Sequence, residues 1–275
     1  MIHSDTSAQR TGALPLQRRH SRRGRTGRAI GALVLREMST TYGRSPGGWL
    51  WAFAEPVGTI ALLSAAFSLA FLAPPLGKSF ALFYATGYLP FMLYLDVSQK
   101  TATALRFSRP LLGFASVVWV DAVIARALLN TLTHLTGSAA VLLVLVTLSR
   151  DAVMPDPAAV GLAYAMALSL AVGVGLINAS LFAIFPAFER LWTIASRPVF
   201  IVSGVVFLLE SVPQPLRDWL ALNPLFHITG EMRAATYPVY RPSYIQPVYV
   251  FAISAGLATV GALLLHRFHD RVAQP

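Results

Sequence analysis

The chain has 275 residues, of which 55% are hydrophobic and only 12% are charged, about half of the usual charged fraction. It contains no cysteine, which excludes disulfides and thiolate metal sites. Nine of its 22 basic residues lie within the first 44 positions, just before the first long apolar run. This distribution is typical of the cytoplasmic flank of a membrane protein, and it argues against nucleic acid as the partner of a chain whose net charge is +10.

Residues 1–25 are polar and arginine-rich and show no apolar period, so a disordered basic arm is predicted there. Residues 26–48 are predicted to form an amphipathic helix in the membrane interface, because apolar residues recur at helical spacing from Ile30 to Met38. The candidate functional residues of this interfacial helix are Arg36, Glu37, Tyr42 and Arg44.

Long uncharged runs make up most of the remaining chain. The run from Pro56 to Gly77 holds 22 residues without Asp, Glu, Lys or Arg, and the run from Pro157 to Phe188 holds 32. A bilayer core about 30 Å thick needs roughly 20 apolar helical residues. Residues 49–275 are therefore predicted to form an all-α transmembrane domain with six spans, at about 51–72, 79–95, 120–148, 158–187, 191–209 and 244–266.

The charges of the connections predict the orientation of these spans. Residues 96–110 carry three basic residues and should be cytoplasmic, whereas residues 73–79 carry only Lys78 and should be outside. The basic N-terminal region and the basic tail should also be cytoplasmic. Six spans with both termini inside satisfy all of these assignments.

The third span carries two charges near its inner end, Asp121 and Arg126, and a stripe of polar residues. Arg126, near its inner end, is predicted to snorkel to the membrane surface or to reach another helix, with Asp96 as one possible partner. Asn130 and His134 lie on the stripe. Polar groups within a span face the bundle or a watery cavity, so interhelical hydrogen bonds are predicted, with contact to a substrate as the alternative.

The fourth span has a face of small residues at every fourth position, from Ala163 to Ala187. Close approach through small residues drives helix association in lipid, so this face is predicted to be a packing seam, with the wall of a wide conduit as the alternative. At 1.5 Å per residue this span is too long to cross straight. It should extend beyond the bilayer, tilt, or break near residues 173–175.

Residues 210–247 contain six prolines and, at 219–230, an uncharged piece of 12 residues that is too short to cross. A short apolar piece of this kind is predicted to be re-entrant or interfacial, with an ordinary amphipathic surface helix as the alternative. The segment is therefore a candidate for the outer mouth of a transport pathway.

Catalytic motifs are almost wholly missing. Residues 77–79 mimic the end of a phosphate-binding loop, but Leu72 stands where that motif requires glycine. The sequence also shows no histidine–acid cluster at metal spacing, no relay of acids across the membrane and no nucleophile–base arrangement. A protein that moves something with energy from elsewhere is favoured over a membrane enzyme or an ion-coupled transporter.

Several strings, in this order and spacing, resemble ABC-2 type permeases of the capsule polysaccharide export family of Gram-negative bacteria. They cover nearly the whole chain from residue 30. The strings are LREM at 35–38, YGRS at 42–45, GWLWAFAEP at 48–56, TGYLPF at 86–91, DAVIAR at 121–126, SGVVFLL at 203–209, NPLFH at 223–227 and EMR at 231–233.

The resemblance implies a non-catalytic permease in the bacterial inner membrane that exports lipid-linked capsular polysaccharide. Its implied partners are a second copy of the chain, two copies of a cytoplasmic ATPase that binds ATP and Mg, a periplasmic co-polymerase and an outer-membrane pore. No cofactor is expected in this chain. Short outer-leaflet helices are implied within 213–237. A coupling segment that meets the ATPase is implied at 98–112, with Arg106, Ser108, Arg109 and Pro110 on an exposed inside turn.

Aromatic and polar side chains that face the pathway could bind sugar, although interface anchoring or bundle packing would also explain them. The candidates are Tyr84, Tyr88, Trp119, Asn130, His134, Trp219, Glu231 and Arg233. Export of O-antigen or teichoic acid would use the same architecture, and no residue identifies the polymer. A membrane enzyme acting on lipid-linked sugars and a purely structural membrane anchor are the alternatives from other classes.

Overall fold

The computed structural model describes residues 22–41, 48–112, 119–149 and 154–273, and this part of the chain contains helices and no strand. The helices are α1 (Arg22–Thr41), α2 (Gly48–Ala70), α3 (Phe80–Ala102), α4 (Ala104–Leu112), α5 (Trp119–Leu148), α6 (Pro157–Ile184), α7 (Pro186–Val199), α8 (Leu216–Ala221), α9 (Pro224–Thr236) and α10 (Pro247–Ala273). Two short 3₁₀ turns, Ile201–Ser203 and Leu209–Ser211, lie between α7 and α8.

Five helices are long and apolar enough to cross a bilayer, so the prediction of an all-α, multi-span membrane protein is confirmed to that extent. The spanning stretches are Phe53–Ala70, Phe80–Ala102, Trp119–Leu148, Pro157–Ile184 and Pro247–Arg267. Each agrees with a predicted span to within a few residues, except that α3 continues about two turns beyond the predicted end at residue 95.

Local capping explains where three helices begin. The side chains of Ser79, Asp156 and Asn223 accept hydrogen bonds from the N–H groups of the first turns of α3, α6 and α9, at 3.3, 2.9 and 3.0 Å. Pro157 and Pro224 follow two of these caps, at the first helical position, where a missing N–H costs nothing.

Helix α6 lies at the centre of the bundle, packed between α3 and α10. The predicted seam is confirmed along α6, because Ala163, Ala167 and Ala171 are completely buried, but its predicted last member, Ala187, is exposed and lies on α7. A Cβ at Gly175 would stand only 2.5 Å from the side chain of Thr101 in α3. The helix is continuous through residues 173–175, so the predicted option of a break there is wrong; these glycines permit close helix packing instead.

The predicted continuous fifth span at 191–209 is wrong, because α7 ends at Val199. With 14 residues α7 is about 21 Å long, which is too short to cross. Pro198 lies in its last turn, and Gly204 then adopts a φ of 75°, a left-handed conformation that does not continue a helix. Residues 200–208 are mainly irregular.

Two other boundaries differ from the sequence prediction. Helix α1 begins at Arg22, so residues 22–25 of the predicted disordered arm are helical; arginine favours a helix and no proline interrupts this stretch. The predicted coupling turn is the helix α4. Residues 1–21, and with them most of the basic arm, lie outside the described residues, as do Tyr42 and Arg44.

Candidate functional site

Helices α1, α4 and α5 meet around a buried ion pair. Arg126 of α5 donates a hydrogen bond from Nε to Oε1 of Glu37 in α1 at 2.8 Å, and the two side chains are only 8% and 3% exposed. Arg126 Nη1 donates to the hydroxyl of Thr103, just before α4, at 3.3 Å. Its guanidinium also lies 4.2 Å from the centre of the Phe107 ring in α4. We call Glu37, Thr103, Phe107 and Arg126 the α1–α4–α5 junction.

The cost of burying a charge makes Arg126 depend on the positions of α1 and α4. An arginine is tolerated in a protein interior only when it is paired and hydrogen-bonded. Arg126 has a carboxylate, a hydroxyl and an aromatic ring around it, and another arginine, Arg36 of α1, lies 5.6 Å from the centre of the same ring. A shift of α4 or α1 would therefore disturb the environment of Arg126.

Helix α4 makes a second ionic contact, with α7. Arg106 donates two hydrogen bonds to the carboxylate of Glu189, at 2.6 and 2.7 Å. The guanidinium of Arg106 lowers the pKa of Glu189 through these bonds. The side chain of Arg106 is 64% exposed, so the pair is accessible to solvent and contributes little stability. Its geometry nevertheless links α4 to the start of α7.

The other predicted coupling residues have different environments. Ser108 is 2% exposed, so it faces the protein and cannot belong to the exposed turn that the sequence predicted. Arg109 and Pro110 lie on α4, but their side chains are outside the described part of the structure.

The irregular segment after α7 runs alongside α3 in the opposite direction. Glu189 lies beside Arg106, beyond the C-terminal end of α3. The ring of Phe200 then packs against Tyr88 and Phe91 of α3, with ring centres 6.3 and 5.6 Å apart. Val205 lies against Gly87, where a Cβ would stand 2.9 Å from the Val205 Cα. Residues 200–205 therefore lie along the N-terminal half of α3, and α7 begins beside α4.

Side chains of α9 and its cap bind the free carbonyl groups of this irregular segment. Arg233 Nη2 and Nη1 donate to the carbonyl oxygens of Val205 and Phe207, at 2.9 and 3.2 Å. The hydroxyl of Thr229 donates to the carbonyl of Ser203 at 3.1 Å, and the amide of Asn223 donates to that of Val202 at 2.6 Å. Non-helical backbone at membrane depth requires such internal partners.

Arg233 is among the most deeply buried side chains described, at 1% exposure. Its guanidinium lies 4.3 Å from the centre of the Phe83 ring in α3. It therefore connects α3, α9 and the irregular segment. Both terminal nitrogens of Arg233 already donate to backbone carbonyl groups. Within one copy of the chain, Arg233 could therefore serve a pathway only by positioning the irregular segment and not by binding the substrate.

A group of aromatic and polar residues lies around the connection from α9 to α10. Tyr240 contacts both carboxylate oxygens of Glu210 at 3.1 Å, and its hydroxyl lies 3.2 Å from that of Tyr244. The His227 Nε2–H group donates to the Ala221 carbonyl at 2.8 Å, while Nδ1 accepts from the N–H of Gln246 at 3.1 Å. A neutral His227 satisfies both bonds.

The remaining pathway candidates divide by exposure. Tyr84 and Tyr88 are 1% and 5% exposed, and Asn130, at 6%, donates to the Arg126 carbonyl in its own helix. Trp219 on α8 is 72% exposed, whereas Trp119 and Glu231 are half-buried, and burial raises the pKa of Glu231. His134 contacts the Asp96 carboxylate at 3.2 Å.

This contact also decides the predicted partner of Arg126. Asp96 bonds His134, and Arg126 pairs with Glu37 instead of Asp96.

Three contributors to these sites were missed by the sequence analysis. Glu189, Phe107 and Thr229 showed no distinguishing pattern, because each gains its role from a helix distant in sequence. A signal did exist for the junction: Arg126 is one of very few charges inside the long apolar runs, and a charge there requires a partner. Among the described residues, no group of three or more His, Asp or Glu side chains could hold a metal ion.

These features define a polytopic helical membrane protein with ionic links between its helices at one end and a broken helical segment within the bundle. Residues 28–237 match the family described as ABC-2 type transporter. The chain belongs to this family.

Curated relatives cover most of the chain. It is 28% identical over 211 residues to the polysialic acid transport protein KpsM of Escherichia coli, with 77% of this chain and 82% of the relative covered. It is 27% identical over 245 residues to the capsule polysaccharide export inner-membrane protein CtrC of Neisseria meningitidis serogroup A, with 89% and 92% covered. It is also 24% identical over 246 residues to the corresponding protein BexB of Haemophilus influenzae, with 90% and 93% covered.

Proposed function

We propose that this chain is the permease subunit of an ATP-driven exporter that moves lipid-linked capsular polysaccharide across the bacterial inner membrane. The observation that carries the proposal is the match to the ABC-2 type transporter family over residues 28–237, together with relatives of capsule export that align over at least 82% of their own length. The energy is supplied by a separate ATPase, which binds ATP and Mg, and the permease itself takes no part in hydrolysis.

The proposed assembly contains two copies of this chain and two ATPase subunits. Helix α4 is the element that meets the ATPase, with Arg106 and Arg109 on it and Arg36 of the interfacial helix α1 nearby. The α1–α4–α5 junction supports this role, because a displacement of α4 is transmitted directly to a spanning helix through Arg126. The exported polymer then passes to a periplasmic co-polymerase and an outer-membrane pore.

The proposed topology has six crossings, of which the fifth is made in two parts. Helix α7 provides the cytoplasmic half and residues 200–208 the outer half, since α7 begins beside Arg106 of α4 and residues 200 and 205 pack against the N-terminal half of α3. Helices α8 and α9 then return to the outer side without a further crossing. Trp219 on α8 is exposed and Glu231 on α9 is half-buried. These two residues are the candidates for contact with the emerging polymer.

The topology can be tested in this cysteine-free chain. Cysteines placed at Gln214 and Tyr240 should both react with a membrane-impermeant maleimide from the periplasm, while a cysteine at Ser39 should react only after the inner membrane is opened. Reaction of positions 214 and 240 from opposite sides would disprove the return of α8 and α9.

The function can be tested by deletion of this permease in its own bacterium. The proposal predicts that lipid-linked capsular polymer accumulates inside the cells and disappears from their surface, and that the intact gene restores it. Loss of O-antigen with normal capsule would assign the chain to a different polymer, and normal export of both would refute the proposal.

A further inference from the structure

Asp96 and His134 form a half-buried polar pair at membrane depth. Oδ2 of Asp96 in α3 lies 3.2 Å from Nε2 of His134 in α5, and the two side chains are 32% and 24% exposed. Both residues lie within spanning stretches. Asp96 is about 24 Å along α3 from its start, and His134 is about 12 Å along α5 from Arg126 of the α1–α4–α5 junction. The pair is therefore inside the bilayer and is still partly open.

The half-buried side of α3 around Asp96 is largely polar. The residues that are not buried in the C-terminal half of this helix share one side of it, within about 140°. They are Met92, Leu95, Asp96, Gln99 and Lys100. Polar and charged groups within a span face water or protein and not acyl chains. We call Asp96, Gln99, Lys100 and His134 the α3–α5 polar patch.

The apolar exposed side of α5 is a different side from that of His134. Leu128, Leu132 and Leu143 share one face of α5 and are 46%, 51% and 55% exposed, which suits contact with acyl chains. His134 stands about 200° around the helix from Leu132. The exposed part of the pair therefore opens away from the leucine face of α5.

The pair also keeps free hydrogen-bonding atoms, unlike an exposed hydroxyl of the same span. Thr136, beside the leucine face, donates from its hydroxyl to the Leu132 carbonyl at 2.9 Å. By contrast, Oδ1 of Asp96 and Nδ1 of His134 have no hydrogen-bond partner among the described residues. A carboxylate oxygen accepts a hydrogen bond, and a ring nitrogen donates or accepts one. The patch thus offers unused hydrogen-bonding capacity at membrane depth.

The chemistry of these free groups matches a sugar hydroxyl. A hydroxyl both donates and accepts, so it can bond the Asp96 carboxylate, the His134 ring and the Gln99 amide. With His134 neutral, the charges of Asp96 and Lys100 cancel, so the patch does not favour an ion of either sign. An acyl chain would leave all of these groups without partners.

We propose that the α3–α5 polar patch lies on the wall of the polymer path, where Asp96 and His134 bind hydroxyl groups of the passing sugar chain. This inference rests on the proposed function, because it assigns a binding site within that path. It is separate from the contact of α4 with the ATPase.

Access of water to the patch can be measured without polymer in this cysteine-free chain. Gln99→Cys places a thiol in the patch, and Leu132→Cys places one on the leucine face of α5. The full-length variants, in membrane vesicles, are treated with a small cationic methanethiosulfonate, which reacts with a thiolate in water. We expect Gln99→Cys to react at least roughly tenfold faster than Leu132→Cys, because a thiol against acyl chains stays protonated. Equally slow reaction of both would show that no water-filled path reaches the patch.

Binding of the polymer is tested by protection. The probe is lipid-linked polymer extracted from cells that lack this permease, added to the Gln99→Cys permease in complex with its ATPase. We expect this polymer to slow the modification of Gln99→Cys several-fold and to leave that of Ser39→Cys, on α1, unchanged. Unchanged modification of Gln99→Cys at saturating polymer would contradict the proposal.

The contribution of His134 is read from the polymer concentration that gives half-maximal export by the reconstituted complex. His134→Leu should raise this concentration roughly fivefold, the loss of about one net hydrogen bond. His134→Gln keeps a donor and an acceptor and should stay within about twofold of the wild type. Thr136→Val, in the same span, is the matched control and should behave as the wild type. All variants are compared at equal thermal stability and elution volume.

Two further results would overturn the proposal. An unchanged half-maximal concentration in stable His134→Leu would leave the pair as a bond between helices only. Slow modification of Gln99→Cys, with crosslinking to the same position of a second copy, would assign the patch to contact between copies. Normal capsule on cells without the permease would refute the proposed function instead, and the reaction rate of Gln99→Cys without polymer would still decide whether water reaches the patch.

Discussion

Glu37 and Arg126, which lie 89 positions apart in the chain, form a buried ion pair that fixes the first helix to a membrane span. The span reaches the α4 helix through the same arginine, by way of Thr103 and Phe107. Helix α4 in turn bonds α7 through Arg106 and Glu189. These contacts join four helices at one end of the bundle, and they make the junction the place where movement of α4 would enter the protein.

Breaking the buried pair should be costly. Arg126→Met takes the guanidinium away from the buried Glu37 carboxylate, and we expect the free energy of unfolding to fall by about 3–5 kcal/mol. The double variant Glu37→Gln with Arg126→Met should be more stable than the single one, because neither charge of the pair is left. Unfolding of the purified proteins by a denaturing detergent measures the free energies of unfolding of the single and the double variant.

Arg190→Met is the control, since this arginine is exposed and one position from Glu189. It should change the free energy of unfolding by less than about 0.5 kcal/mol. Equal losses for Arg126→Met and Arg190→Met would show that the ion pair contributes nothing beyond an ordinary surface charge.

The exposed pair between α4 and α7 should matter for coupling and hardly for stability. Arg106→Glu should lower the polymer exported per ATP hydrolysed roughly tenfold, a coupling free energy of ordinary size, while its effect on stability stays below about 1 kcal/mol. Exchanging the charges, as Arg106→Glu with Glu189→Arg, should restore part of the export. Export and hydrolysis are measured together on the permease–ATPase complex.

The contrary outcome is an exchange variant that folds and assembles normally but exports no better than Arg106→Glu. This result would show that the Arg106–Glu189 pair does not transmit movement between α4 and α7. In that case Arg106 would act on the ATPase directly, as the sequence alone suggests.

The irregular segment should depend on Arg233. Arg233→Met leaves the carbonyls of Val205 and Phe207 without donors, and each buried group without a partner costs about 1–3 kcal/mol. Arg233→Lys should be nearly as damaging, because a single ammonium cannot reproduce the forked geometry of the guanidinium. Thermal unfolding of the detergent-purified protein reports both losses, and Arg241→Met, at an exposed position, is the matched control. Wild-type stability of Arg233→Met would contradict the assigned role.

The local patterns in the sequence predicted much of this fold. Uncharged runs of sufficient length located five spanning helices, and the spacing of small residues located the seam of α6. Short outer helices within 213–237 were implied by the family resemblance; the structure has the short helices α8 and α9 there, and their outer location stays a prediction. These features depend on residues close together in the chain.

The parts that could not be predicted depend on distant partners. The end of α7 and the irregular backbone after it are possible because Arg233 and Thr229 bind carbonyls 26 to 28 positions earlier. The hydropathy of residues 191–209 does not depend on those hydrogen bonds to α9, so a span was expected over this whole range. Arg126 was recognised as unusual, but the partner named from the sequence was Asp96, because the pairing with Glu37 depends on the packing of α1 against α5.

The stability of the region around α9 should depend on pH through His227. Burial lowers the pKa of this histidine below its usual 6.5, because the charged ring would be desolvated. The unfolded chain therefore binds a proton at a higher pH than the folded one, so the contribution of His227 is complete above about pH 6.5 and is lost as the pH falls below that value. Thermal unfolding between pH 7.5 and 5 should show this loss.

His227→Gln cannot be protonated in that range and should show a smaller fall in stability between pH 7.5 and 5 than the wild type. Parallel pH profiles for the two proteins would mean that His227 is not the titrating group, and a steeper fall in the variant would contradict the direction assigned to its pKa.

The central claim is that this chain provides the membrane path and that a separate ATPase provides the energy. The direct test is reconstitution of the purified permease in vesicles with fluorescent lipid-linked capsular polymer, with and without its ATPase. We expect transfer of polymer across the membrane only when both subunits, ATP and Mg are present, and no hydrolysis by the permease alone. Transfer or hydrolysis by the permease without its partner would contradict it.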